Sequence, residues 1–149
     1  MTEPIPQSGA NLRLRIHLAK SIYRDEEPIT CRFVLRNEGH EAVLLNQRML
    51  LDLRLAESEV YFVIKDRTGH EYAYRYVIIP RRVVADDFKP LRPGEELAIK
   101  YDLRELFGLP KGHAFTAQAG YRNRFPHPDP NVEAWLGDVL SNTIELYTQ

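Results

Sequence analysis

The chain has 149 residues, 44% of them apolar, with 20 basic and 21 acidic side chains. A chain of this length buries about 68–70% of its unfolded surface on folding, so it can form a core without cross-links, and its composition excludes wholesale disorder. The formal net charge of −1 argues against nucleic acid held by counterion release. The single cysteine, Cys31, excludes an intrachain disulfide and suits a reducing compartment.

Residues 1–10 hold two prolines, a glycine and a serine and read as a flexible leader. They lack the basic and apolar regions of a secretory signal. The longest apolar runs, such as Tyr61 to Ile64, are about four residues against the ~20 of a membrane helix. The expectation is a cytoplasmic protein with no membrane partner.

Residues 11–149 read as a single domain. Leu12, Leu14, Ile16 and Leu18 alternate with Arg13, Arg15 and His17, the pattern of a half-buried strand with a basic face in water. Past the polar turn 24–28, Ile29, Cys31, Phe33 and Leu35 repeat the pattern with Arg32 and Arg36 outward. A turn at Asn37 to His40 leads to a third strand over 41–46. The stretch 47–56, with Leu50, Leu51, Leu53 and Leu55, fits a strand or a crossing loop. Val60 to Lys65 is β-branched and aromatic and ends in a hairpin turn at Asp66 to Gly69. Tyr72, Tyr74 and Tyr76 alternate with Ala73, Arg75 and Val77, predicting a strand that runs to Ile79 and Pro80.

Residues 81–89 form a short extended or looped segment, and Arg92-Pro-Gly-Glu95 is a type II turn. Leu97, Ile99, Tyr101 and Leu103 form the next inward face. Asp102 then caps one helical turn, with Glu105 as its box partner. The strand from His113 to Arg122 puts Phe115, Ala117, Ala119 and Tyr121 on one face. A loop with Pro126, Pro128 and Pro130 leads past Trp135, a core anchor, to a last strand with Ile144 and Leu146 inward. About eight to nine strands with one helical turn define an all-β, immunoglobulin-like antiparallel sandwich.

The block Leu91-Arg-Pro-Gly-Glu95, Tyr101-Asp-Leu103, Gly112 and Ala119-Gly-Tyr121 resembles the immunoglobulin-like domain that precedes the catalytic domain of deuterolysin-type proteases. It is also similar to the small intracellular proteinase inhibitors of bacilli. The resemblance covers the last third of the chain and rests on fold motifs. It implies a bacterial, disulfide-free sandwich of the non-catalytic kind. Two departures stand out. No His-Glu-x-x-His zinc motif occurs, and Phe115 stands where those relatives carry a tyrosine, which removes the phenol's hydrogen bond at that place.

Catalytic chemistry finds little support. His17, His40, His70, His113 and His127 are not spaced as metal ligands, so neither metal nor cofactor is expected. Ser21, Ser58 and Ser141 lack a nucleophile-elbow context. The acidic pairs Glu26-Glu27, Asp86-Asp87 and Glu95-Glu96 lie at turns, where carboxylates are solvated. No phosphate-binding glycine motif is present. Cys31, in the inward phase of its strand, reads as a small buried hydrophobe.

What remains is a concentration of tyrosine and arginine, residue types enriched at binding hot spots. The candidate interface comprises Tyr72, Tyr74, Arg75, Tyr76, Arg81, Arg82, Tyr121, Arg122, Arg124 and Phe125. The tyrosine row reads more readily as core, with interface the alternative. Three functions are compatible: a module that binds another protein, a proteinase inhibitor presenting the proline-stiffened loop from Arg122 to Asn131, and a carbohydrate-binding or hydrolase accessory domain. An open sheet edge would also permit pairing with a second copy.

Overall fold

The computed structural model describes residues 11–51, 58–76 and 81–149. The leader at 1–10, Leu53 and Leu55 of the 47–56 stretch, and the end of the tyrosine segment at 77–80 lie outside the described residues. Among the described residues nine strands follow in chain order: β1 (Leu12–Leu18), β2 (Ile22–Tyr23), β3 (Thr30–Asn37), β4 (Val43–Asn46), β5 (Val60–Asp66), β6 (Phe88–Leu91), β7 (Glu96–Asp102), β8 (His113–Asn123) and β9 (Gly137–Thr148). A 3-10 turn at Ala85–Asp87 precedes β6, and the helical turn α1 (Leu103–Phe107) follows β7.

The strands form an all-β sandwich. One sheet has the order β1-β3-β7 and the other β2-β9-β8-β5, while β4 and β6 pair in a separate ribbon. After β1 the chain changes sheets, and β2 runs parallel to β9, with Ile22 beside Tyr147. With its first, third and seventh strands facing the fifth, eighth and ninth, this is the immunoglobulin-like arrangement.

Alternation along the strands decides what is buried. Leu14 and Ile16 of β1, Cys31, Phe33 and Leu35 of β3, and Phe62 and Ile64 of β5 all enter one core, together with Phe115, Ala117, Ala119 and Tyr121 of β8. In register, Ile64 stands opposite Ala117 and Phe62 opposite Ala119, so large side chains pack beside small ones on the inner face. Phe33, Phe62 and Tyr101 meet edge to face, the arrangement that the ring quadrupoles favour. Burial pushes the Cys31 thiol up to about 12, which makes it the inert apolar group its strand phase implies.

Turns and caps follow the local chemistry. The amide of Glu95 donates to the Arg92 carbonyl at 2.9 Å, with Gly94 at φ 83°. Asp102 caps α1 by accepting from the amides of Arg104 and Glu105, which satisfies amides that the helix leaves unpaired. The same carboxylate accepts the Ile29 amide at 3.0 Å and ties α1 to the segment entering β3. The edge of β1 is covered by one side chain: Asn142 accepts the Ile16 amide at 2.9 Å and donates to the Ile16 carbonyl at 3.1 Å.

The tyrosine segment departs from expectation. Its described part is not a strand. It makes one bridge, Lys65 to Glu71, and bends at residues 75–76. The reason is α1: the amide of Arg75 donates to the Leu106 carbonyl at 2.9 Å, and the Tyr74 ring packs on Phe107 at 5.9 Å. The helical turn takes up the backbone and side chain that a further strand would have used.

Candidate functional site

The ten predicted interface residues divide into groups. Tyr74 is core, 9% exposed, so its place at an interface is corrected. Tyr72 is half-buried, edge-on to Phe115 at 5.4 Å, and its hydroxyl donates to Asp66 at 3.0 Å. Tyr76 is exposed, with the Arg75 guanidinium 5.8 Å from its ring. Arg75 itself lies against Gly108, the left-handed residue that closes α1.

Tyr121 is also corrected. It is fully buried, and it stacks on Trp135 at 5.6 Å. β8 runs one residue past Arg122, to Asn123, and Tyr121 keeps the inward phase it shares with Phe115 in the sequence pattern. Its hydroxyl donates to the Asn46 carbonyl at 2.7 Å, and burial pushes the phenol up. Phe115 carries no phenol at the start of β8, yet Tyr121 makes a hydroxyl-to-backbone bond at the other end.

Arg122 faces the opposite way, onto the outer surface of its sheet. Its guanidinium lies 4.5 Å from the Tyr61 ring, and its Nε donates to the Ser58 carbonyl at 2.9 Å. The Tyr61 ring crosses Gly120, where an added Cβ would come within 2.0 Å of the ring. The Tyr61 hydroxyl reaches Asp138 at 2.7 Å. Burial, helped by that carboxylate, pushes this phenol up. Arg124 is exposed.

The remaining three, Arg81, Arg82 and Phe125, are brought together. With Arg48, Val83, Pro126 and Pro128 they line an open cleft of about 440 Å³. Two of its arginines are fixed from behind. Arg48 forms a two-pronged ion pair with Glu59, Nε to Oε1 at 3.0 Å and Nη2 to Oε2 at 2.7 Å, and both side chains are almost fully buried. The Glu59 carboxylate also accepts the Leu50 amide. Such fork geometry is the strongest form of the contact. The Arg48 guanidinium lies 5.1 Å from the Phe125 ring and donates to the Arg81 carbonyl.

Arg81 grips Asp87 with both Nη atoms, at 2.8 and 2.6 Å. That guanidinium holds the Asp87 carboxyl below the usual carboxylate range. Arg82 is exposed and its side chain has no ion-pair partner among the described residues.

The proline loop is closed at its base by Asn123. The Asn123 Nδ2 donates to the carbonyls of Phe125 and Trp135, both at 2.9 Å, while its Oδ1 accepts from the Phe125 amide and the Asn46 side chain. The two ends of the loop are thus held by one buried amide. Further along, Asp129 and Asn131 make local bonds, and His127 packs on Phe88 at 5.0 Å. Residues 128–133 are exposed.

Asn46, Arg48, Glu59 and Asn123, which hold the cleft together, were not singled out from the sequence. One signal was present: Asn123 follows Phe115, Ala117, Ala119 and Tyr121 at period two and so had to point inward, where an amide must find partners. Arg48 and Glu59 carry no local signature. No three His, Cys, Asp or Glu side chains converge as a metal site among the described residues, and no helix among them is long and apolar enough to cross a membrane. Comparison with known proteins finds no family model and no curated protein that matches the chain.

Proposed function

We propose that the chain is a non-catalytic module that binds another protein, and that the cleft between residues 81–83 and the proline loop is its anchor site. One observation carries this reading: Arg81, Arg82 and Phe125 converge with Arg48 on a cleft where Arg48 and Arg81 are already held by Glu59 and Asp87. Prearranged side chains lose little freedom on binding, which leaves more of the contact energy as affinity. Arginine and aromatic side chains around an indentation have the composition of a hot spot. The partner segment that fits is an apolar side chain seated against Phe125 and the prolines, followed by a carboxylate that reaches Arg82.

The test is affinity capture from the native cell with the full chain, beside Arg82→Glu and Phe125→Leu. The reading expects a partner held by the wild type and lost by both variants, with unfolding midpoints close to wild type. A captured set that neither variant changes contradicts it.

The proteinase-inhibitor reading stays second, favoured by the Asn123 clamp, which makes the loop a stiff exposed projection. Incubation with serine and metalloproteases at micromolar protein decides it, and no inhibition removes it. A carbohydrate platform draws less support, because Trp135, the chain's one tryptophan, is 4% exposed.

A further inference from the structure

The outer face of the β1-β3-β7 sheet lies apart from the cleft and carries a concentrated charge. Arg13, Arg15 and His17 point outward from β1, Arg32 and Arg36 from β3, and Lys100 from β7. The register sets like charges against each other: Arg13 stands opposite Arg36 and Arg32 opposite Lys100. Like charges directly opposite on adjacent strands are destabilising. Two carboxylates offset the face only at one end, Glu38 at 3.7 Å from Arg13 and Glu96 at 3.4 Å from Arg36. The nearby Asp102 is occupied by three backbone amides. The side chains of Arg15, Arg32 and Lys100 have no ion-pair partner among the described residues. The face therefore concentrates positive charge on a chain whose net charge is −1.

The face is also shaped. Val34 lies in the outward phase of β3 yet is buried, 7% exposed. It stands between Arg15 and Ala98 in register, where the aliphatic stems of neighbouring arginines can cover it while their heads stay in water. Arg13, Arg15, His17, Arg32 and Arg36 line a hollow of about 110 Å³ with Val34 at its floor, and Glu38 and Glu96 close the end of it where Arg13 and Arg36 lie.

We infer that this face docks an extended acidic segment of a partner protein. Alternate side chains of such a segment repeat at about 7 Å, the same two-residue step that separates Arg13 from Arg15 along β1. Carboxylates on one side of the segment then meet successive cations, and a small side chain enters the hollow. Nucleic acid fits less well. The outward positions of these strands include no Phe, Tyr or Trp side chain on which a base could stack. A lipid surface fits less well too, since no exposed large apolar side chain lies on the face.

The test uses the full chain and a labelled eight-residue peptide of alternating Glu and Ser, followed by fluorescence anisotropy at 50 mM salt. A Gln-Ser peptide, a single-stranded oligonucleotide of equal charge and phosphatidylserine vesicles are run beside it. The proposal expects the Glu-Ser peptide to bind more tightly than all three. Arg15→Glu combined with Arg32→Glu weakens it by about tenfold or more, as does raising salt to 300 mM. Arg67→Glu, in the exposed hairpin turn, leaves it unchanged. Because like-charge opposition is relieved in the double variant, it should fold, which circular dichroism checks. Arg15→Gln with Arg32→Gln gives the same loss if reversal disturbs the fold. Peptide binding no better than the Gln-Ser control, tighter binding of oligonucleotide or vesicles, or a double variant that binds like wild type overturns the proposal. So does self-association of the chain through this face without peptide binding.

Discussion

Arginine is used in two opposite ways on this molecule. At the cleft, the guanidinium of Arg48 is locked to Glu59 and that of Arg81 to Asp87, beside the exposed Arg82, and away from it that of Arg122 is held against Tyr61 and Ser58. On the outer face of the β1-β3-β7 sheet, Arg15 and Arg32 have no acidic partner among the described residues, and Arg32 faces both His17 and Lys100. Paired arginines set geometry before a partner arrives. Unpaired ones hold a repulsion that a partner can relieve. Counting arginines in the sequence does not separate these roles, because the separation lies in which carboxylates fold back against them.

The comparison is broken most sharply at Glu59. Glu59→Ala takes the two-pronged carboxylate from the buried Arg48 guanidinium, and losing one member of a buried pair costs about 3–5 kcal/mol. Urea unfolding measures it. A loss under about 1 kcal/mol, the scale of an exposed pair, would show that Arg48 is not held as described.

A smaller effect is expected at Gly120. A Cβ there collides with the Tyr61 ring, so Gly120→Ala forces the ring aside and breaks its bond to Asp138. Overpacking of this kind costs about 1–3 kcal/mol, and Tyr61→Ala combined with Gly120→Ala should recover part of what the glycine change alone loses beyond it. Independent, additive effects of the two changes would contradict the contact. Tyr121→Phe comes next. It removes one buried hydroxyl and leaves the Asn46 carbonyl unpaired, for about 1–2 kcal/mol, with Trp135 fluorescence reporting the repacking.

The cationic face should respond in the other direction. Arg15→Gln with Arg32→Gln removes the charge opposite Lys100 and the one diagonal to it, and is expected to stabilise the fold by a few tenths of a kcal/mol. The gain should shrink as salt rises, since exposed charges are screened. A double variant that is less stable at low salt would place a carboxylate against these arginines after all. The smallest effect concerns Asp87. Its folded pKa is depressed by Arg81, so the clamp contributes stability above the ordinary carboxylate value of 3.8 and loses it as pH falls through the lower folded value. Asp87→Asn should therefore flatten the acid limb of the stability profile below about pH 4.

Much of the sandwich was legible. Strict alternation marked β1, β3, β7, β8 and β9, glycine and proline marked the turns, and Asp102 marked the start of α1. Each of these signals is local, and each is fixed by a preference that acts within a few residues. The tyrosine segment misled because Tyr72, Tyr74 and Tyr76 alternate as a strand would, while the competing interaction comes from α1, some thirty residues on. Tyr121 was legible as inward, in phase with Phe115, Ala117 and Ala119, and its place in the interface list followed only its arginine-bearing neighbours; the inward phase holds to Asn123. Of the candidate site, Arg81, Arg82 and Phe125 were named from the sequence. What organises them, the Arg48–Glu59 pair and the Asn46–Asn123 amide bond, depends on chain crossings that no spacing encodes.

The central claim is that a protein partner seats in the cleft between residues 81–83 and the proline loop. Amide hydrogen exchange on the chain with its captured partner, against the free chain, tests it most directly. The account predicts new protection at residues 81–84 and at the loop amides from Arg124 to Glu133. Protection confined to the tyrosine segment at 72–76, with the cleft and loop unchanged, would contradict it.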